Sequence, residues 1–320
     1  MKLEEIGSRA KEVSRVLNNL GSTPKNEGLK AVAQALLDGK GKILEANQKD
    51  VQAALAKGMN PGLVDRLSLN DARIQAMAEG LLQVASLDDP VGEVISMKPR
   101  PNGLLIGQKR VPLGVIGMIY EARPNVTVDA AALCLKSANA CILRGGKEAI
   151  CSNMAFANLM RDAIETAGLP RDCVQLVEDT TRASAADLMT LDGYLDALIP
   201  RGGKGLIRSV VENASVPVIE TGAGNCHIYV DETADISMAA DIIENADLSS
   251  DRYLYRFGEY ITENELGTAR RLRSLPEETI QKMADVYTEG YRIGFINTGK
   301  DLSKKSVVNI RYSLGFERVI

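Results

Sequence analysis

Two short segments carry residues suited to close contact with a ligand: Arg123-Pro124-Asn125 and Arg144-Gly145-Gly146-Lys147. Each follows an apolar run of strand length, residues 115–120 in one case and 140–143 in the other. Arg123 offers a guanidinium to a phosphate or carboxylate, although a structural ion pair is the commoner use of such a side chain. Asn125 has an everyday reading as the residue that shapes the turn after Pro124, and Lys147 as a solvated lysine at a helix start. Gly202 and Gly203 precede a helical segment, where bare backbone N–H groups can face a diphosphate. A tight strand-to-helix turn needs the same glycines, so both readings stand. Glu220 is a lone carboxylate at a strand end, a position that is usually solvated. Cys226 and His227 are adjacent, which invites a nucleophile–base dyad; neighbours on a strand point to opposite faces, and the dyad is rejected. Cys134, Cys141, Cys151 and Cys173 sit on apolar faces or strand edges and read as core thiols.

The elements that must position these residues alternate between strand and helix. Strand 115–120, helix 128–138 and strand 140–143 form a βαβ unit, which argues for a parallel sheet. The pattern continues with a helix at 148–167, stopped by Gly168 and Pro170, and a strand at 174–177. A helix at 184–190, a strand at 197–200, a helix at 205–212 and strands at 216–219 and 228–230 follow, then a helix at 236–245. The fold class is α/β, a Rossmann-like parallel sheet with flanking helices, whose ligands bind at the carboxyl ends of the strands. No Gly-x-Gly-x-x-Gly is present, so the common dinucleotide fingerprint is absent. The N-terminal segment is helical. Leu3, Ile6, Ala10, Val13, Leu17 and Leu20 form one stripe. Thr23 is a candidate cap, with Pro24 at the first position of a second helix. Further helices are expected at 43–56 and at 71–85, the latter capped by Asn70 or Asp71. These segments read as packing. Residues 92–111 form short β-like runs around Asn102-Gly103, a hairpin signal.

Composition narrows the function classes. The chain has 320 residues, 25% of them charged, with a net charge of −4, so no global basic field points to nucleic acid. Nothing at the N-terminus resembles a signal peptide and no apolar run approaches membrane-spanning length. Five cysteines without Cys-x-x-Cys spacing suggest reduced thiols in a cytoplasmic setting, and a single histidine argues against a His-rich metal site.

Segment 110–149, together with Leu198-Ile199-Pro200-Arg201-Gly202-Gly203, Pro217-Val218-Ile219-Glu220-Thr221-Gly222 and Gly224-Asn225-Cys226-His227, resembles the glutamate-5-semialdehyde dehydrogenases (gamma-glutamyl phosphate reductases) of the aldehyde dehydrogenase superfamily. The resemblance runs from near Met1 to about Ala246. It implies a variant Rossmann-like domain that binds NADP(H). The implied reaction is NADPH-dependent reduction of L-glutamyl 5-phosphate to L-glutamate 5-semialdehyde in proline biosynthesis. Asn125 matches the family's oxyanion donor. Lys147 matches a lysine that contacts the adenosine ribose, where an ammonium also favours a 2′-phosphate. Glu220 matches a general base or nicotinamide-ribose contact. Gly145, Gly146, Gly202, Gly203, Thr221 and Gly222 fall in the implied cofactor loops, and Arg123 beside the substrate. The hairpin at 92–111 is similar to an arm that pairs with a neighbouring subunit; a surface hairpin of one monomer is the alternative.

Beyond Ala246 the composition breaks. Nine of the 13 aromatic residues and none of the five cysteines lie in residues 247–320, which argues for a boundary between a cofactor-binding part, 1–246, and an unrelated tail, 247–320. The tail resembles a leucyl aminopeptidase-like fragment in Tyr291-Arg292-Ile293-Gly294-Phe295 and Leu314-Gly315-Phe316-Glu317-Arg318. In the family resembled, a segment bearing the catalytic cysteine follows this point, and its thiolate forms a thioester before hydride transfer. Here the chain reads Asp247-Leu248-Ser249-Ser250-Asp251-Arg252, so the family's catalytic domain is expected to be missing. Two functions stay open: the family's reductase, inactive in this chain for want of the nucleophile, and a non-catalytic nucleotide-binding or structural fragment. A metallopeptidase role for the tail is disfavoured because the single histidine lies outside it.

Overall fold

The computed structural model describes residues 2–220 and Met238 in full; in strands 225–230, 252–256, 259–262 and 309–313 it describes the backbone. By contacts the chain divides into two compact units, Met1–Thr221 and Gly222–Ile320. The expected boundary at Ala246 lies outside the described residues.

The first unit opens with α1 (Leu3–Leu17), α2 (Ser22–Asp38), α3 (Lys40–Ala56), α4 (Pro61–Leu67) and α5 (Asp71–Ser86). The apolar stripe of α1 is buried at Ile6, Ala10 and Leu17. Helix α2 differs from expectation at its start. Gly21 is the N-cap and Pro24 is the third helical residue, inside the first turn, where a proline is tolerated because the first-turn N–H groups lack intrahelical partners anyway. Asn70 caps α5 by accepting from Arg73 N at 2.8 Å. Strands β1 (Val94–Pro99) and β2 (Leu105–Lys109) pair antiparallel as a separate hairpin that leaves Ile95, Met97, Leu105 and Ile106 exposed.

The core sheet follows: β3 (Val115–Tyr120), α6 (Asn125–Lys136), β4 (Ala140–Arg144), a 3₁₀ turn at Lys147–Ala149, α7 (Ile150–Thr166), β5 (Val174–Leu176), α8 (Arg182–Met189), β6 (Ala197–Arg201) and α9 (Lys204–Asn213). Four parallel strands lie in the order β5-β4-β3-β6. Both β3 and β4 are buried almost throughout, as expected for strands covered on both faces. Right-handed crossovers put α6 and α7 on one face. The chain then reverses past β3 to reach β6, which carries α8 to the other face, where it packs on α1. Gly168, at φ +80°, ends α7 with its N–H donated to Glu165 O and that of Leu169 to Ile164 O, closing the last turn. The strand expected at 216–219 is reduced to a single bridge, Leu198 to Val218. A run of one paired residue cannot sustain a ladder, and Pro217 supplies no N–H for one.

In the second unit, β7 (Asn225–Val230), β8 (Arg252–Arg256), β9 (Glu259–Thr262) and β10 (Asn309–Ser313) form a sheet in the order β10-β7-β8-β9. Thus β7, expected to continue the Rossmann-like alternation, pairs instead with strands of the tail. The helix expected at 236–245 lies, apart from helical Met238, outside the described residues. Among the described residues no helix is long and apolar enough to cross a membrane.

Candidate functional site

The chain turns in opposite directions on leaving β3 and β6, which opens a crevice at their carboxyl ends. There, a cleft of about 950 Å³ is walled by the ends of β3 and β4, the turn after β4, and helices α8 and α9. Its charged lining groups are Glu121, Arg144, Lys147, Glu148 and Arg182; Ala185, Met189 and Leu206 give it an apolar side. A second depression of about 340 Å³ near Lys40 and Asp71 has no such convergence, since those two side chains pair with each other at 2.8 Å.

Arg144, the last residue of β4, is committed to structure. Its Nη2 donates to the carbonyls of Thr180 and Thr181, both at 2.8 Å, tying the start of α8 to the end of β4. Its buried Nε has no hydrogen-bond partner among the described residues. Gly145 is buried against Asn153 and Tyr120 and lies beneath the cleft, while Gly146 and Lys147 line it and Lys147 is exposed.

Gly202 and Gly203 lie where β6 runs into α9, and the N–H of Gly203 donates to Glu121 Oε2 at 2.9 Å. A Cβ on Gly202 would stand 2.7 Å from Glu121 Cδ, so the turn must be bare for that carboxylate to approach. A diphosphate at this helix start has to displace Glu121, a competitor no local pattern announced.

Arg123 and Asn125 belong to the loop on the other side of β3 and do not line the cleft. Asn125 begins α6, and its amide donates one N–H to Asp129 Oδ2 at 3.1 Å, leaving its second N–H without a partner among the described residues. Burial raises the Asp129 carboxyl above its ordinary range. The structural ion pair expected for Arg123 is absent among the described residues. Burial, then the charges of Arg66 and Arg201, lower its pKa, so three guanidiniums share one neighbourhood. Glu220 is exposed; Thr221 and Gly222 lie outside the described residues.

Beneath the two loops runs a buried polar chain. The hydroxyls of Tyr120 and Thr127 are 2.7 Å apart, and Thr127 donates to Asn153 Oδ1 at 2.9 Å. Burial pushes the Tyr120 hydroxyl well above its usual range, so it stays protonated.

Cys141, Cys151 and Cys173 are shifted away from activation. Cys134, Cys141 and Cys173 are buried and Cys151 is half-buried. A hydrogen bond with Cys134, followed by burial, raises Cys141; burial pushes Cys173 up to about 12; burial and then Asp50 raise Cys151. A nucleophilic thiol needs the opposite shift. Cys226 and His227 are consecutive residues of β7. Among the described residues, no group of three or more His, Cys, Asp or Glu side chains could hold a metal ion.

The aldehyde dehydrogenase family pattern matches residues 8–250, three quarters of the chain. The chain belongs to the aldehyde dehydrogenase family. Within this family it is 56% identical over 243 residues to the gamma-glutamyl phosphate reductase of Clostridium perfringens, covering 76% of this chain and 59% of that protein. It is 59% identical over 240 residues to the enzyme of the same name from Heliobacterium modesticaldum, covering 75% and 58%. The crystal structure of gamma-glutamyl phosphate reductase from Thermotoga maritima superimposes with a TM-score of 0.70 at 45% identity, covering 78% of this chain and 60% of that one. The chain therefore spans about three fifths of the length of these relatives. The segments that carry the sequence resemblance include both loops bordering the central β3, and one of them, the turn at Gly146 and Lys147, forms a wall of the cleft.

Proposed function

We propose that the cleft at the ends of β3 and β4 binds NADP(H), and that residues 1–246 are the cofactor-binding part of a gamma-glutamyl phosphate reductase, with 247–320 a separate tail. The observation that carries this reading is the convergence of Lys147, Gly146 and Arg144 on a cleft of about 950 Å³, within the size range of cofactor sites. The lining suits an anionic dinucleotide: an exposed ammonium at Lys147, a glycine backbone at Gly146, and an apolar wall for a flat ring. Bound there, NADPH would supply the hydride. Lys147 would hold the adenosine end and favour a 2′-phosphate, and Gly145 and Gly146 would let the backbone approach. Gly202, Gly203, Thr221 and Gly222 would contribute to the remaining length of the cofactor. On the far side of β3, Asn125 would offer its free amide N–H to the oxyanion formed from glutamyl phosphate, and Arg123 would meet the substrate's phosphate or carboxylate. Glu220 would contact the nicotinamide ribose or act as base.

The parent reaction would be reduction of L-glutamyl 5-phosphate to L-glutamate 5-semialdehyde in proline biosynthesis. It requires a thiolate, and this chain has no cysteine after Ala246, while the thiols of Cys141, Cys151 and Cys173 are raised above their ordinary value. We infer that the chain binds cofactor without turning substrate over. The exposed apolar hairpin β1–β2 supports pairing with a second copy. The cofactor reading is tested by calorimetric titration. NADPH should bind, and Lys147→Ala should weaken it about tenfold or more while affecting NADH less, the loss of one charge-assisted contact. Absence of binding by folded protein, or equal losses for both nucleotides, would refute it.

A further inference from the structure

We propose that Arg182 is a second cationic contact in the cleft, and that Arg182 and Lys147 together grip the 2′-phosphate that distinguishes NADPH from NADH. The inference rests on the cofactor reading of the cleft and adds a specificity residue that neither the family resemblance nor the loop motifs single out.

Arg182 is the first residue of α8, is exposed, and lines the cleft. Its position is poor for the helix itself. The N-terminus of a helix carries partial positive charge, so a cation in the first turn is unfavourable. The helix start is already satisfied without it, because the Thr181 hydroxyl accepts from Ser184 N at 3.2 Å and Asp179 accepts from Thr181 N at 2.8 Å. No carboxylate among the described residues pairs with the Arg182 guanidinium. An anion bound in the cleft would turn this unfavourable placement into a favourable one, since it would meet the guanidinium and the helix start together.

The backbone around it is fixed. Arg144 holds the carbonyls of both Thr180 and Thr181, so the residue before Arg182 is tied to the end of β4, from which the chain runs within three residues to Lys147. The two free cations therefore stand on adjoining walls, Lys147 on the turn after β4 and Arg182 at the mouth of α8. Of the acids of the cleft, Glu121 is occupied at α9 by Gly203 N, and neither Lys147 nor Arg182 forms an ion pair with Glu121 or Glu148 among the described residues. A guanidinium fork beside an ammonium matches a terminal phosphate dianion, which accepts bidentate hydrogen bonds from arginine. The diphosphate linkage is the lesser candidate, because the backbone N–H groups suited to it lie at the start of α9, where Glu121 already takes that of Gly203.

The test is calorimetric titration of the whole chain with four probes: NADPH, NADH, 2′,5′-ADP and 5′-AMP. Arg182→Ala should weaken NADPH and 2′,5′-ADP about tenfold or more and leave NADH and 5′-AMP within about twofold. Arg182→Lys should regain part of the loss, as a point charge replaces the fork. Circular dichroism and a melting curve matching those of the parent confirm that the variant is folded; Arg182→Gln serves the same comparison if the alanine variant is not. A parent that binds NADPH alongside an Arg182→Ala variant that binds it equally well overturns this proposal and leaves the cofactor reading intact. Equal losses for all four probes also overturn it, because Arg182 would then shape the cleft without reading the phosphate. A folded parent that binds none of the four overturns both.

Discussion

A methyl group on Gly145 would lie 2.1 Å from Asn153 Nδ2 and 3.1 Å from Tyr120 Cε2. Asn153 cannot step aside freely, because it is fully buried and its Oδ1 accepts from Thr127, which in turn bonds Tyr120. Gly145→Ala should therefore destabilise the protein by about 1–3 kcal/mol, the usual range for overpacking a core. Urea denaturation monitored by circular dichroism checks this, and an unchanged midpoint would mean that the loop has more room than the contact distances indicate. The same residue shows what local reading can and cannot reach. Glycines after a strand identified the loop, yet the side chain that demands the glycine comes from α7. Lys147 and Gly146 were legible as cleft residues because they sit directly on that turn. Glu121 and Arg182 were not, since each gains its role only when the sheet order brings separate segments together. Arg182 left one trace in the sequence: a basic residue directly after Asp179-Thr180-Thr181, at the unfavourable end of a helix.

Between elements, buried ions hold the N-terminal helices to the sheet layer. Lys25 of α2 is fully buried, and its ammonium lies 2.7 Å from Asp89, which follows α5. Lys136 of α6 donates to Asn26, to Ala85 O and to Leu87 O, binding the end of α5 from the other side. Burial alone would raise the Asp89 carboxyl, but hydrogen bonds from Lys25 and the Val91 N–H, with the charges of Lys25 and Lys136, hold it below its ordinary value. A carboxyl lowered by folding stabilises the fold above its unfolded pKa, and that contribution fades as pH falls through the folded value. Stability measured in urea should thus drop from neutral pH into the acid range. Asp89→Ala should lose about 3–5 kcal/mol at neutral pH, because it strands a buried ammonium, and should show a shallower acid decline. An Asp89→Ala variant as stable as the parent at pH 7 would contradict this role. Helices α1 and α2 were legible from their apolar stripes, and α5 from the cap at its start. Helix α4 was not: at seven residues it is too short for a period, although Asn60 and Pro61 form a proper N-cap and first position, with Asn60 accepting from Gly62 N at 2.9 Å. Strand 216–219 failed in the opposite sense, since apolar β-branched residues promised a strand that found one bridging partner.

At the scale of the molecule, the first unit has a four-stranded parallel sheet and a cleft, and the reaction proposed above needs a thiolate that residues 247–320, which hold no cysteine, do not supply. NADP-dependent oxidation of glutamate semialdehyde in the presence of phosphate should therefore stay at background for the chain and for Cys226→Ala. Turnover by both would place the chemistry elsewhere, and turnover lost only in the variant would make Cys226 the nucleophile. The alternation of strand and helix made the Rossmann-like layer legible, but the sharing of β7 with tail strands was not, because pairing between distant segments leaves no local period. The strand order has a further consequence, for the sequence of events in folding. Ile116 of the central β3 pairs with Cys141 on one side and with Ala197 on the other, and the second contact closes a far longer stretch of chain. Long closures carry the greater entropic penalty, so β4 is expected to dock before β6. The cleft walls of α8 and α9 flank β6, and they come together only at that late docking. A nucleotide that needs both walls recognises the finished sheet and nothing before it. Its stabilising effect then falls on the unfolding rate, prolonging the life of the assembled unit while leaving the pace of assembly unchanged.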